Sequence, residues 1–295
     1  MALSDLPNHE VTNLDPDGMV LRARPPYRPI SREAALSLNV SVVIPVKNEA
    51  ANLPYVFNTI PDWISEVVLV DGRSTDNTAE VALRLRPDIK VITQTGTGKG
   101  DALLKGFAEC SGDIIVAMDG DGSTHGCEII YFVSALAAGA DFAKGSRFTS
   151  GGRSDDITLG RLYGNRLLLA LVNRVHGTRY SDLCYGYNAF WSRHLSTLAV
   201  DCAGFEVEAL MSIRAAKAGL RIREVPSHEH PRLHGRSKLR AIRDGWRILR
   251  VILREKFRGT IPFLPGDRAA SVISFPLPTR IVHPDPRADT ELESL

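Results

Sequence analysis

The feature that most constrains this chain is an alternation in its first half. "VSVVIPV" (40–46), "EVVLVD" (66–71), "DIKVIT" (88–93) and "DIIVAMD" (113–119) are short apolar runs rich in β-branched residues. Such runs mark strands buried on both faces. Stretches of helical character separate them, at 50–59, 75–85 and 99–110. Strands alternating with helices argue for a parallel sheet covered on both faces. The expectation is an α/β fold with a mostly parallel central sheet flanked by helices. In such sheets ligands bind at the carboxyl ends of the strands. "PVKNE", "DGRSTD" and "DGDGST" all fall there, at the ends of three different strands. "DGRSTD" also supplies turn and cap residues for the helix that follows.

Bulk composition sets the frame. The 295 residues allow one large α/β domain or two small ones. A hydrophobic content of 44% and a charged content of 24% are those of a soluble globular chain with a sizeable core. The net charge of +2 excludes no partner by itself. Cys110, Cys127, Cys184 and Cys202 form no CxxC pair, so free thiols in a reducing compartment are expected. "MALSDLPNHE" has neither a basic n-region nor an apolar core, so no signal peptide is expected. No run approaches the ~18 apolar residues of a spanning helix. The expectation is a cytoplasmic protein whose membrane contact, if any, is peripheral at the inner face. Residues 1–38, with "RARPPYRPISRE", read as an extended arm, residues 39–260 as the folded domain, and residues 261–295 as an irregular Pro-rich tail.

Several motifs carry chemistry. In "DGDGST", Asp119 and Asp121 are hard oxygen donors suited to Mg²⁺ or Mn²⁺. A cation held there would bridge phosphate oxygens, and Gly120 and Gly122 would let a ligand approach the backbone. The spacing alone fits a solvated Asp-Gly turn equally well. "QTGTGKGDALLKG" (94–106) opens a helix, whose N-terminal N–H groups could bind an anion. It lacks the P-loop and dinucleotide spacings, and a flexible loop is the plainer reading. "GFEVEAL" places Glu206 and Glu208 at a helix start. They either complement the helix dipole or supply a general base for an acceptor hydroxyl.

"HEHPRLHGRSK" (228–238) gathers three His with Arg232, Arg236 and Lys238. The spacing fits no standard zinc motif, and a mobile loop gripping phosphate is preferred. One His would still be available to the Asp pair. Leu239, Ile242, Trp246, Leu249 and Leu253 then recur at helical steps beside a long series of Arg residues. This is an amphipathic helix. It either packs its stripe on the core or lies on anionic lipid. No aromatic platform or binding motif for nucleic acid accompanies the charge, so no nucleic-acid partner is expected.

Taken in order, "VSVVIPVKNEAANLP", "EVVLVDGRSTDNT", "GTGKGDALLKGF" and "DIIVAMDGDGST" resemble the family 2 glycosyltransferases of the GT-A fold. "KGSRF" (144–148), "GNRL" (164–167), "GFEVEAL" and "HGRSKL" extend the likeness over residues 40–258, nearest the dolichyl-phosphate glucosyl- and mannosyltransferase branch. The resemblance implies that Pro45, Lys47 and Glu49 line a nucleotide pocket, that Asp71 meets the base, and that Lys99 and Gly100 lie near ribose and diphosphate. Asp119 and Asp121 would be the DxD pair, with Asp121 the direct metal ligand. Arg147 and Arg166 would face phosphates or acceptor, Glu208 falls where "FDVELL"-like sequences of the family carry an acidic residue, and Arg236 and Lys238 would sit on the acceptor-side loop. The departures are Gly72 and Arg73 in place of Asp-Gly, "DGD" for "DAD", and Lys47 where a Tyr is common. The membrane spans of some relatives have no counterpart in this sequence.

The implied chemistry is inverting and metal-dependent, with Asp121, Arg147 and Glu208 as catalytic candidates. The donor is a nucleoside-diphosphate hexose, UDP-glucose favoured over GDP-mannose. The acceptor is a polyprenyl phosphate or, alternatively, a soluble secondary or phosphorylated metabolite. A nucleotidyltransferase would need a Gly-rich loop after the first strand, and "PVKNEAANLP" is not one. A non-catalytic sugar-nucleotide binder would lack the Asp pair.

Overall fold

The computed structural model describes residues 37–235, 237–258 and 272–274. The expected arm (residues 1–36 of it), Arg236 and most of the expected tail lie outside the described residues.

An eight-stranded sheet runs through the molecule in the order β10-β8-β5-β7-β4-β1-β2-β3. Its members are β1 (Val40–Val46), β2 (Glu66–Asp71), β3 (Lys90–Thr93), β4 (Ile114–Ala117), β5 (Phe142–Ser146), β7 (Asn188–Trp191), β8 (Ile222–Pro226) and β10 (Val272–Ser274). All neighbours pair in parallel except β7, which is antiparallel to both β4 and β5. A two-stranded parallel ribbon of β6 (Arg153–Ser154) and β9 (His228–Glu229) stands apart. Within the segment expected to be irregular, β10 pairs in parallel with the edge of β8.

The first two apolar runs become strands with the expected bounds, since β1 is hydrogen-bonded on both sides and β2 lies between β1 and β3. Strand β3 starts two residues later than expected because it is the half-exposed edge. Side chains of β1 alternate between two cores. Val42, Ile44 and Val46 pack with α1 (Leu53–Thr59), α2 (Thr78–Leu85) and α4 (Ile129–Ala137). Val43 packs on the other face with α3 (Lys99–Ala108), α5 (Leu159–His176), α7 (Val207–Lys217) and α8 (Ala241–Phe257). A single short turn, α6 (Leu195–Leu198), completes the helices among the described residues.

The register places the functional loops. Val46 lies opposite Asp71, Asp71 opposite Thr93, and Val43 opposite Ala117. The loops after β1, β2, β3 and β4 therefore leave the same edge. The chain moves outward from β1 to β3 and then crosses back to place β4 on the other side of β1. That reversal opens a crevice between the ends of β1 and β4.

Behind the crevice, Glu128 is 2% exposed and accepts from Ser227 Oγ and from His228 N at 3.0 Å. It pins the β8–β9 turn against α4. Burial pushes its carboxyl up to about 7, against the lowering effect of those two donors. A carboxyl raised from 4.5 binds its proton more tightly folded than unfolded. Its contribution is present in full below pH 4.5 and is lost as pH rises through 7. Thermal melts at pH 5 and pH 8 should show wild type losing about 3 kcal/mol relative to Glu128→Gln across that interval. Parallel pH curves would contradict this reading.

Candidate active site

The crevice is a cavity of about 280 Å³. Its walls come from the ends of four strands: Pro45, Lys47 and Glu49 after β1, Gly72 and Arg73 after β2, Gln94 and Gly96 after β3, and Asp119, Asp121 and Ser123 after β4. Lys99 and Glu208, from α3 and α7, line its floor, with Arg232 and Lys238 across the mouth.

Lys99 is the centre of the charge pattern. Its Nζ lies 2.5 Å from Asp119 Oδ1 and 2.8 Å from Glu208 Oε1. Burial opposes its charge, but the two carboxylates override burial and hold the ammonium protonated well above the ordinary lysine range. The space for this triad exists because residue 186 is glycine. A Cβ there would collide with Lys99 Nζ and stand 3.0 Å from Asp119 Oδ2.

The glycines of "GTGKG" do something other than expected. Gly100 N donates to Ala203 O at 2.9 Å, and Asp101 N reaches the same oxygen at 3.4 Å. A Cβ at Gly98 or Gly100 would strike the carbonyls of Ala203 or Cys202. The α3 N-terminus is thus capped by the segment that leads into α7, so that N–H group of Gly100 is not offered to an anion. The close approach fixes Glu208 relative to Lys99.

Asp121 is held differently. Its Oδ1 accepts from Ser123 N at 3.0 Å and Ser123 Oγ at 2.6 Å, and its Oδ2 accepts from Arg232 at 2.7 Å. Arg232 also grips both oxygens of Glu49 at 3.0 Å. Lys238 donates to Glu49 Oε1 at 3.2 Å and to the Lys47 carbonyl. His234 and Asn52 exchange two further hydrogen bonds, and His230 N donates to Ser123 O at 2.9 Å. His230, Arg232, His234 and Lys238 are therefore fastened across the crevice, Arg232 and Lys238 by charge-assisted contacts.

Pro45, Lys47, Glu49, Lys99, Asp119, Asp121, Glu208 and Lys238 come together at the cavity. The remaining described candidates do not line it. Asp71 accepts from Ser74 N at 3.1 Å and Ser74 Oγ at 2.5 Å, closing its own turn. Arg147 is 3% exposed and turned inward. It meets Asp182 through Nε at 2.7 Å and Nη2 at 3.0 Å, meets Glu229 through Nη1, and lies over Tyr185. Burial works against its charge, and Asp182 and Glu229 more than restore it. Arg166 is exposed on α5, away from the cavity lining. The expectation that Arg147 and Arg166 face phosphate differs from these positions, because the partners of Arg147 are remote in sequence. Gln94, Asp156, Arg161, Tyr185 and Glu229 line the cavity although nothing in the sequence marked them for it. Arg73, which the sequence showed only as a departure from the family's Gly, lines it too, with a φ of 59° that a glycine would adopt freely.

Among the described residues, no group of three His, Cys, Asp or Glu side chains forms a metal shell. The donor set still fits a hard cation shared with a ligand. Asp119 and Asp121 are oxygen donors whose side chains are 26% and 20% exposed, and Asp119 Oδ2 borders the gap over Gly186. Two protein carboxylates leave positions for phosphate oxygens, and a cation beside Asp121 would take over the charge that Arg232 now neutralises.

The model of glycosyl transferase family 2 matches residues 41–214. Dolichol-phosphate mannosyltransferase of Pyrococcus furiosus is 32% identical over 218 residues, 69% of this chain and 60% of that protein. Polyprenol monophosphomannose synthase of Mycolicibacterium smegmatis is 31% identical over 211 residues, 67% of this chain and 80% of that protein. The fold is similar to glucosyl-3-phosphoglycerate synthase of Mycobacterium tuberculosis, solved with Mn²⁺, UDP and phosphoglyceric acid. The TM-score is 0.62 at 24% identity, covering 85% of this chain and 94% of that one.

The inward position of Arg147 has a measurable consequence. Arg147→Ala would leave Asp182 and Glu229 buried without their cation, at a cost of about 3–5 kcal/mol. Chemical denaturation should show that loss in the absence of any ligand. A variant as stable as wild type but inactive would return Arg147 to the reacting centre.

Proposed function

The chain belongs to glycosyl transferase family 2, and we propose that it moves a hexose from a nucleoside-diphosphate sugar, UDP-glucose in first place, to a polyprenyl phosphate. The observation that carries the reading is the charge pattern of the crevice. Two carboxylates on the β4 turn face a cavity whose other charged groups include Lys99, Arg232 and Lys238. Such a site suits a diphosphate on one side and an anionic acceptor on the other. The names of the two relatives point to lipid-phosphate acceptors for those proteins. The similar structure carries UDP with Mn²⁺, in line with a uridine donor here.

In this reading the acceptor oxygen attacks the anomeric carbon from the face opposite the diphosphate. The new C–O bond forms as the bond to the diphosphate breaks, and the nucleoside diphosphate leaves with the electron pair. Asp119 and Asp121 would hold Mg²⁺ or Mn²⁺, which when bound offsets charge on the leaving diphosphate. Lys99 keeps Asp119 and Glu208 in place. Pro45, Lys47 and Glu49 flank the nucleotide. Lys238, with Arg232 once released from Asp121, would position the acceptor phosphate.

A phosphate monoester is largely ionised at pH 7, with a second pKa near 6, and needs no base. This agrees with Glu208, which is directed at Lys99 and has a side chain only 6% exposed. Glu208→Gln should therefore keep kcat within about tenfold of wild type, whereas loss of a general base costs about 10²–10⁴-fold. The direct test is a transfer assay with UDP-glucose and GDP-mannose, Mn²⁺ or Mg²⁺, and a short polyprenyl phosphate. Glycosyl lipid formed from UDP-glucose is the expected product. Transfer to phosphoglycerate-like acceptors with no response to the polyprenyl phosphate would establish the soluble-acceptor alternative instead.

A further inference from the structure

Helix α8 does not bury the stripe that its sequence periodicity selects. At about 100° per residue, Ile242, Trp246, Leu249, Leu253 and Phe257 share one face. Ile242, Trp246, Leu253 and Phe257 on that face are 82%, 67%, 44% and 82% exposed. The buried residues Asp244, Ile248, Val251, Ile252 and Glu255 occupy the opposite face. Of the two placements open from the sequence, packing of the apolar stripe on the core is the one the structure rejects. The inward face can carry two acids because both are paired. Asp244 accepts from Arg240 N at 2.7 Å, and Glu255 accepts from the buried Arg214 at 3.0 Å.

Helix α5 repeats the arrangement. Leu159, Tyr163 and Leu167, four residues apart, are 73%, 67% and 74% exposed. Its buried Asn165 and Val172 lie on the other side. The two helices are neighbours: His176 near the end of α5 meets the Ile252 carbonyl of α8 at 3.2 Å. Both helices border the cavity, which is lined by Arg161 near the start of α5, Leu239 just before α8 and Ile248 within α8. An isolated exposed Leu needs no explanation, but two aligned apolar stripes on adjacent helices do.

Charge names the occupant. Arg243, Arg247, Arg250 and Arg254 fall along one flank of the α8 stripe at helical spacing, and Arg166 and Arg174 are exposed on α5. Arg247 is paired with Asp244, and Arg254 with Asp201 and Glu255, whereas Arg243 and Arg250 make no ion pair among the described residues. Helix α5 contains no Asp or Glu, and both acids of α8 are buried. The surface thus presents apolar side chains beside cations, with no exposed carboxylate on either helix. A two-fold contact with a second copy would oppose this patch to itself and offer Arg243 and Arg250 no carboxylate from either helix. No helix among the described residues is long and apolar enough to cross a membrane.

We propose that the paired outer faces of α5 and α8 dock on an anionic lipid surface, bringing the mouth of the cavity to the lipid headgroups. Trp246, Tyr163, Leu167 and Phe257 enter the interfacial layer, and Arg243 and Arg250 meet the headgroup phosphates. The proposal rests on the preceding functional reading only for the acceptor it would deliver, and the docking itself can be tested without turnover.

The test is co-sedimentation of the full chain with phosphatidylcholine vesicles, with and without phosphatidylglycerol. Pelleting with the mixed vesicles is expected, falling about tenfold or more on pure phosphatidylcholine. It should fall comparably for R243E/R250E and be abolished in L167E/W246E, with unchanged circular dichroism. With a short water-soluble isoprenyl phosphate and no vesicles, L167E/W246E should keep the wild-type rate. Transfer failing for every isoprenyl phosphate, wild type included, would count against the acceptor reading and leave the docking result intact. Pelleting that ignores vesicle charge, or its absence, would overturn the proposal. So would a dimer that L167E/W246E converts to monomer without altering vesicle binding.

Discussion

The contact of Lys99 with Asp119 and Glu208 is the interaction on which the site depends. It joins three parts of the chain that local structure does not bring together: the start of α3, the turn after β4 and the start of α7. Each approach needs a missing side chain. Gly98 and Gly100 let the carbonyls of Cys202 and Ala203 close on α3, and Gly186 leaves the pocket that the ammonium fills. A buried lysine without carboxylates would be driven toward neutrality. Here the two acids keep it charged, and the three groups order one another.

A second set of cations closes the crevice from outside. Arg232 neutralises Glu49 and Asp121 together, and Lys238 reaches the same end of β1. In this arrangement both carboxylates of the β4 turn already have a positive partner. A divalent cation with a diphosphate would take over the charge at Asp121, and the cost of parting Arg232 from Asp121 would be met by contacts to phosphate. The proposed donor and the fastening of Arg232 are then linked, because they compete for one carboxylate.

The sequence made the sheet legible because parallel strands are apolar on both faces and bounded by polar loops. Asp119, Asp121 and the "PVKNE" residues were within reach of the same logic, since ligand groups collect at strand ends, while the pocket roles of Pro45, Lys47, Glu49, Lys99 and Lys238 came from the family resemblance. What escaped it was mainly non-local. Arg147 looks like a ligand group in one dimension, and in three dimensions it is enclosed by Asp182 and Glu229, whereas Asp71 is taken up locally by the turn it closes with Ser74. The glycines before α3 resemble an anion cradle, but they admit a neighbouring backbone. Hydrophobic periodicity chose the wrong side of α8 because its buried face contains Asp244 and Glu255. Their acceptability depends on contacts that no periodicity contains, including Arg214 for Glu255 and the α8 N-terminal backbone for Asp244.

The central claim is that Asp119 and Asp121 serve a nucleoside diphosphate through a divalent cation. Calorimetric titration of UDP in the presence and absence of Mn²⁺ measures it most directly. Mn²⁺ is expected to tighten UDP binding by an order of magnitude or more, about 1.4 kcal/mol per tenfold, and Asp121→Asn to remove this coupling. Equal UDP affinity with and without Mn²⁺ would contradict it, as would coupling that survives Asp121→Asn.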